Sequence, residues 1–151
     1  MKILVDADSC PAPARSLVLR AAVRTKTKAF FAANRNIPGI ENDYAEMVIC
    51  PEGEGAADDR LVSLAKSGDL ALTRDIPLAA RLLEAGAAVL DDRGRIYTKE
   101  NIRERLSLRN FTVGLAESGY EYERNAVYGK RELKTFADSF DKLLTRLLGY
   151  K

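Results

Sequence analysis

Asp6 and Asp8 stand two residues apart where the apolar run "KILVD" (2–6) ends, and further acids recur at Asp58, Asp59, Asp75, Asp91 and Asp92. Grouped carboxylates are a hard oxygen-donor set that suits Mg²⁺ or Mn²⁺, cations that take one or two carboxylates and keep several waters. A metal held this way can activate water and stabilise a phosphoryl transition state. The chain contains no histidine. That excludes His-based zinc sites, Ser-His-Asp triads, Cys-His pairs and histidine general bases. Phosphodiester hydrolysis by carboxylates and a hard cation stays open.

Each acid also has a structural use. Asp75 is a good N-cap for a helix starting at Ile76-Pro77. Asp58 and Asp59 suit a helix N-terminus, and Asp8 or Ser9 could cap the first helix. Together the acids are harder to accommodate. Two carboxylates ~5 Å apart at an effective dielectric of ~20 repel by roughly 3 kcal/mol. Three or four need a cation. Arg15, Arg60 and Arg74 are near enough in sequence to supply one as a structural ion network instead.

Several elements must position these acids. "KILVD" is a continuous apolar run, as expected of a strand buried on both faces. Residues 11–24 carry Ala14, Leu17, Val18, Ala21 and Ala22 at helical spacing, with a proline early. "TKAFFAAN" (27–34) reads as a second strand, "NIPGIEN" (36–42) as a loop and "AEMVIC" (45–50) as a third strand. A helix over 57–67 ends at Gly68. "DLALT" (69–73) is a fourth strand, 76–85 a helix stopped by Gly86, and "AAVLD" (87–91) a fifth strand. After the turn "DRG" (92–94), helical segments follow at 99–109 and 132–148, joined by a polar, tyrosine-bearing loop. Strands alternating with helices indicate an α/β fold with a largely parallel sheet. In such sheets ligands bind beyond the carboxyl ends of the strands, where strand order reverses. Asp6, Asp8, Asp75, Asp91 and Asp92 all fall at strand ends of that kind. Asp58 shares a helix face with Leu61, Val62 and Ala65 and should point inward, with Asp59 more exposed.

The 151 residues suit one domain spanning 1–151, and a hydrophobic fraction of 46% supports a real core. The net charge of +2 carries no message about partners, so a nucleic-acid footprint has to be local. No run approaches a membrane span, and the N-terminus is unlike a signal peptide, so a cytoplasmic protein is expected. Two cysteines, Cys10 and Cys50, are too few for a disulfide framework.

"VDADSCP" (5–11), "AADD" (56–59), "GDLALTRDIPLAARLLEAGA" (68–87) and "RGRIYTKENI" (93–102) together resemble the YaiI/YqxD family of uncharacterised bacterial proteins, whose domain is PIN-like. The resemblance covers roughly residues 2 to 145. It implies a three-layer α/β/α sandwich with the first and fourth strands adjacent, which would set Asp6 beside Asp75. PIN domains are typically Mg²⁺- or Mn²⁺-dependent ribonucleases. Carried over residue by residue, Asp6 matches the acid ending strand one, Asp58 the acid before the apolar helix, and Asp75 the acid of the T-x-D element. The resemblance makes these three the catalytic candidates. They and Asp8, which belongs to the YaiI/YqxD pattern itself, are the metal-ligand candidates. Two departures stand out. Gly55 replaces an acid that relatives often carry, with Glu54 adjacent, and "ERNAVYGKREL" (123–133) replaces a Gly-Gly-Pro stretch.

"ILVDADSC" also resembles the Asp-x-Asp motif of haloacid-dehalogenase-like phosphatases, with Thr73 as the phosphate-binding threonine and Asp91 and Asp92 as the later acid pair. That family needs a lysine between those elements, and residues 74–90 contain none. "CPAPAR" has four residues between Cys and Arg, one short of a cysteine-phosphatase loop, so Cys10 is expected to be packed. A non-enzymatic alternative is a nucleic-acid- or protein-binding module. Arg93, Arg95, Lys99, Arg103, Arg105 and Arg109 form a basic stretch that could hold RNA phosphates. The same residues could form a solvated helix face paired with Glu100 and Glu104. Tyr97, Tyr120, Tyr122 and Tyr128 could stack bases or pack.

Overall fold

A computed structural model of the chain describes residues 1–40, 42–51, 53, 55–107 and 127–149. In chain order the elements are β1 (Ile3–Asp6), a 3-10 turn (Ala7–Ser9), α1 (Ala12–Thr25), β2 (Ala29–Ala33), β3 (Ala45–Ile49), α2 (Ala56–Leu64), β4 (Leu70–Leu72), α3 (Ile76–Glu84), β5 (Ala88–Leu90) and β6 (Ile96–Tyr97). Helix α4 is described over 99–107, and α5 spans Lys130–Leu147. The strands form one six-stranded sheet in the order β3-β2-β1-β4-β5-β6, parallel except for β6.

Strand alternation sorts the sheet's side chains into two cores. Ile3, Val5, Phe31, Leu70, Leu72 and Leu90 pack with α1 and α5 on one face. Leu4, Ala32, Ala71 and Val89 pack with α2, α3 and α4 on the other. The result is the expected three-layer α/β/α sandwich. The sheet centre is the β1–β4 pair, in register Ile3 with Leu70 and Val5 with Leu72. From there the chain turns to β2 on one side and β5 on the other, so strand order reverses at this seam.

Two differences from the expected elements have local causes. The two-residue β6 is too short to show an alternating pattern, and its antiparallel pairing to β5 follows from the tight turn at Gly94. Gly94 has φ +83, and a Cβ there would lie 2.6 Å from the Thr135 carbonyl oxygen of α5. Helix α2 ends at Leu64, short of Gly68, because the backbone N–H of Lys66 donates to Asp69 Oδ2 at 2.8 Å and turns the chain into β4. Helix α4 opens with reciprocal capping: Thr98 N–H donates to Asn101 Oδ1 (2.9 Å), and Asn101 N–H donates to Thr98 Oγ1 (3.1 Å).

A candidate carboxylate site at the ends of β1 and β4

Asp6 is the last residue of β1 and shares the α2/α3 face with Leu4 by strand alternation. The position across the seam on that face is Thr73, just past β4. Its hydroxyl donates to Asp6 Oδ2 at 2.9 Å. The Ser9 hydroxyl donates to the same oxygen at 3.1 Å. Among the described residues, Asp6 Oδ1 accepts no hydrogen bond, so both local donors are collected on one oxygen.

Thr73 also accepts the backbone N–H of Asp75 at 3.0 Å. That bond orients its hydroxyl proton toward Asp6 and fixes the start of α3. Asp75 is the N-cap of α3, with Oδ1 accepting the Leu78 N–H at 3.1 Å. The capping role and proximity to Asp6 coexist, since a cap uses one carboxylate oxygen. Asp58 lies in the first turn of α2 and is half-buried, whereas Asp59 is exposed and paired with Arg81 at 3.0 Å.

Asp6 and Asp58 each sense neighbouring carboxylates. Burial pushes Asp6 above the ordinary carboxylate range, the Thr73 and Ser9 hydroxyls pull it back, and the charges of Asp58 and Asp75 raise it further. Asp58 is raised by burial and by Asp75, with Arg81 opposing. Among the described residues, no ion pair includes Asp6, Asp58 or Asp75. Neither Arg15 nor Arg74 neutralises them: Arg15 bonds the Cys10 carbonyl, and Arg74 pairs with Asp92. The cluster could contribute one or two carboxylate ligands to a hydrated hard cation. It does not form a closed cage, because among the described residues no three Cys, Asp or Glu side chains converge tightly enough to hold a metal as they stand.

The other acids have separate duties. Asp8 lies toward β2, where Oδ1 faces Arg35 Nε at 3.6 Å and Oδ2 accepts the Asn34 N–H at 3.4 Å. Asp91 Oδ1 accepts the N–H groups of Arg93 (2.9 Å) and Arg95 (2.8 Å) and so holds the β5–β6 turn. Asp69, at the opposite end of the sheet, is bonded by Lys2 Nζ (2.6 Å) and the Lys2 and Lys66 N–H groups. Cys10 is buried among apolar neighbours, and its thiol is pushed up to about 12 by burial first and Asp92 second.

The family model described as "Uncharacterized BCR, YaiI/YqxD family" matches residues 4–146. The chain belongs to the YaiI/YqxD family. Relatives of this YaiI/YqxD chain include a UPF0178 protein of Treponema pallidum (strain Nichols), 46% identical over 98% of this chain and 84% of that one. A UPF0178 protein of Myxococcus xanthus (strain DK1622) is 44% identical over 98% and 97%. That of Treponema denticola is 44% identical over 98% and 94%. No solved structure matches.

In this YaiI/YqxD chain the basic stretch is divided. Arg93 faces Glu132 at 3.8 Å and lies over the Tyr128 ring at 5.9 Å. Arg105 lies over the buried Tyr97 ring at 4.9 Å. Arg95, Lys99 and Arg103 are exposed. Arg109, Tyr120, Tyr122 and Glu54 lie outside the described residues. The Tyr128 hydroxyl donates to the Asp92 carbonyl at 2.6 Å, a packing role that ties the start of α5 to the β5–β6 turn. Sequence reasoning noticed Thr73 and Ser9 but not their shared task of orienting Asp6. The T-x-D spacing was the available signal for Thr73. Among the described residues, no helix is long and apolar enough to cross a membrane.

Proposed function

We propose that this YaiI/YqxD protein is a PIN-like, Mg²⁺- or Mn²⁺-dependent nuclease that hydrolyses RNA phosphodiesters at Asp6, Asp58 and Asp75. The observation that carries this reading is the grouping of Asp6, Asp58 and Asp75 at the strand-order switch, none of them in an ion pair among the described residues, with Asp6 and Asp58 raised by burial and by neighbouring carboxylates. Asp6 and Asp75 would hold the cation, which supplies charge neutralisation of the phosphate and a more acidic water. Ser9 and Thr73 hold Asp6 in one orientation. Asp58, half-exposed with its pKa raised, suits acceptance of the proton from the attacking water.

A second reading, a catalytically inactive nucleic-acid- or protein-binding module, is favoured by the open spacing of the acids. The deciding experiment incubates labelled single-stranded RNA with the protein in Mn²⁺, Mg²⁺ or EDTA. Cleavage only with metal, falling about 100-fold or more in Asp6→Asn and Asp75→Asn, supports the nuclease. RNA binding without cleavage under any metal condition assigns the module.

A further inference from the structure

The ends of β1 and β4 have two lips of opposite character. Asp6 and Thr73 fall on the α2/α3 side, where Asp58 and Asp75 stand. Arg74, the next residue along, alternates to the α1/α5 side, where its guanidinium meets the buried Asp92 carboxylate. Cys10 belongs to that same α1/α5 core. The half-buried Arg15, in the first turn of α1, donates to the Cys10 carbonyl.

The anchor of Arg15, Cys10, and Arg74 itself are each adjacent in the chain to a hydroxyl that holds Asp6. Ser9 precedes Cys10, and Thr73 precedes Arg74. The Cys10 thiol reports the same neighbourhood, since Arg15, Arg74, Asp6 and Asp92 all act on it. A guanidinium offers five N–H donors in a rigid fork suited to phosphate oxygens. Among the described residues, the Arg15 side chain bonds Cys10 alone and the Arg74 side chain bonds Asp92 alone. Each fork is fixed by one anchor and keeps donors for a second partner. The exposed Lys99 and Arg103, at the start of α4 and within it beyond the edge strand β6, are not tied to the Asp6 hydroxyls in this way.

We propose that Arg15 and Arg74 form a phosphate-binding lip that holds the backbone of single-stranded RNA alongside the carboxylate lip. The proposal deepens the nuclease reading and rests on its assignment of RNA as substrate. It places the backbone on the α1/α5 side of the strand ends, with the reacting phosphate toward Asp6.

The test is fluorescence anisotropy of a short fluorescein-labelled oligouridylate, titrated in EDTA at several salt concentrations. Arg15→Met should weaken binding about tenfold and reduce the salt slope by about 0.7, the value for one phosphate contact on a single strand. Arg74→Met/Asp92→Asn removes the fork together with its buried counter-charge, so net charge is kept. It should also weaken binding about tenfold. Lys28→Met, at the opposite end of the strands, should bind like the wild type. Thermal melts by circular dichroism establish that each variant is folded. Should Arg15→Met fail to fold, Arg15→Lys keeps the charge and loses the fork, and is expected to lose affinity with the slope retained. Wild-type affinity in the folded arginine variants overturns the proposal, as does no binding by the wild-type protein at low salt. Because the titration excludes metal, failure of the nuclease reading is seen separately, as intact binding with no Mn²⁺-dependent cleavage.

Discussion

The Thr73 hydroxyl donates to Asp6 Oδ2 across the seam between β4 and β1 while accepting the Asp75 N–H. One side chain thus joins the acid ending β1 to the acid capping α3. With one lone pair engaged by the backbone N–H, the hydroxyl proton is directed to its acceptor, Asp6 Oδ2.

Thr73→Val keeps the shape and removes that link. Asp6 loses a hydrogen bond to its charged form, and the Asp75 N–H loses its acceptor. A loss of about 1–2 kcal/mol in urea unfolding is expected, with Thr73→Ser close to wild type. An unchanged midpoint in Thr73→Val would show that the bond contributes nothing net.

Asp6 and Asp58 both titrate above their unfolded value of 3.8. A carboxyl raised in the folded state binds its proton more tightly there than in the unfolded chain. Its contribution is therefore present at low pH and lost as pH rises from 3.8 through the folded pKa. Asp91 is raised as well and adds the same sign. In EDTA, the stability difference between Asp6→Asn and wild type should grow in favour of the variant as pH rises through this window. Chemical denaturation at stepped pH measures it, and a difference of opposite slope refutes the assignment.

Metal should reverse that ranking. At millimolar Mn²⁺, a concentration 100 times the dissociation constant would stabilise the wild type by about 2.7 kcal/mol through linkage. Asp6→Asn, with its charge removed, should gain much less. Thermal melts of both proteins in EDTA and in Mn²⁺ make the comparison. A wild-type melt indifferent to metal, with Asp6→Asn destabilised in EDTA, removes the support for a cation site.

Asp69 supplies the contrast. It is buried, bonded by three donors from Lys2 and Lys66, and placed at the far end of β4. Asp69→Ala should cost about 3 kcal/mol by breaking a buried pair, and its Mn²⁺ response should match the wild type's. A lost metal response in this folded variant would mean that the response does not report the β1–β4 rim.

Gly94→Ala should be among the costly surface-turn changes. The new Cβ meets the Thr135 carbonyl of α5 in a backbone conformation that L residues rarely adopt. A loss of about 2–4 kcal/mol by denaturation is expected from overpacking and strain together. A neutral result would show that α5 can move away from the turn.

The alternation of short apolar strands with helices was enough to establish an α/β sheet, because burial on both faces leaves a continuous apolar run that polar loops interrupt. The sites of Asp6, Asp58 and Asp75 were equally legible, since a strand end, a helix first turn and an N-cap are local features. Sequence periodicity could also separate the inward Asp58 from the exposed Asp59. Which acids lie near one another was not legible in the local pattern, and only the family resemblance, which sets the first and fourth strands adjacent, pointed to Asp6 beside Asp75. Asp6, Asp91 and Asp69 look alike as acids flanking strands, yet they sit at a seam, in a turn and at the opposite end of the strands. The difference lies in β1 pairing with β4, a contact between residues 67 apart in the chain. Likewise, Arg74 reads as a counter-ion for its neighbour Asp75 until alternation carries it across the sheet to Asp92. Local chemistry was written in the chain, whereas hydrogen-bond partners depended on strand order, because long-range pairing alone decides which polar groups meet out of water.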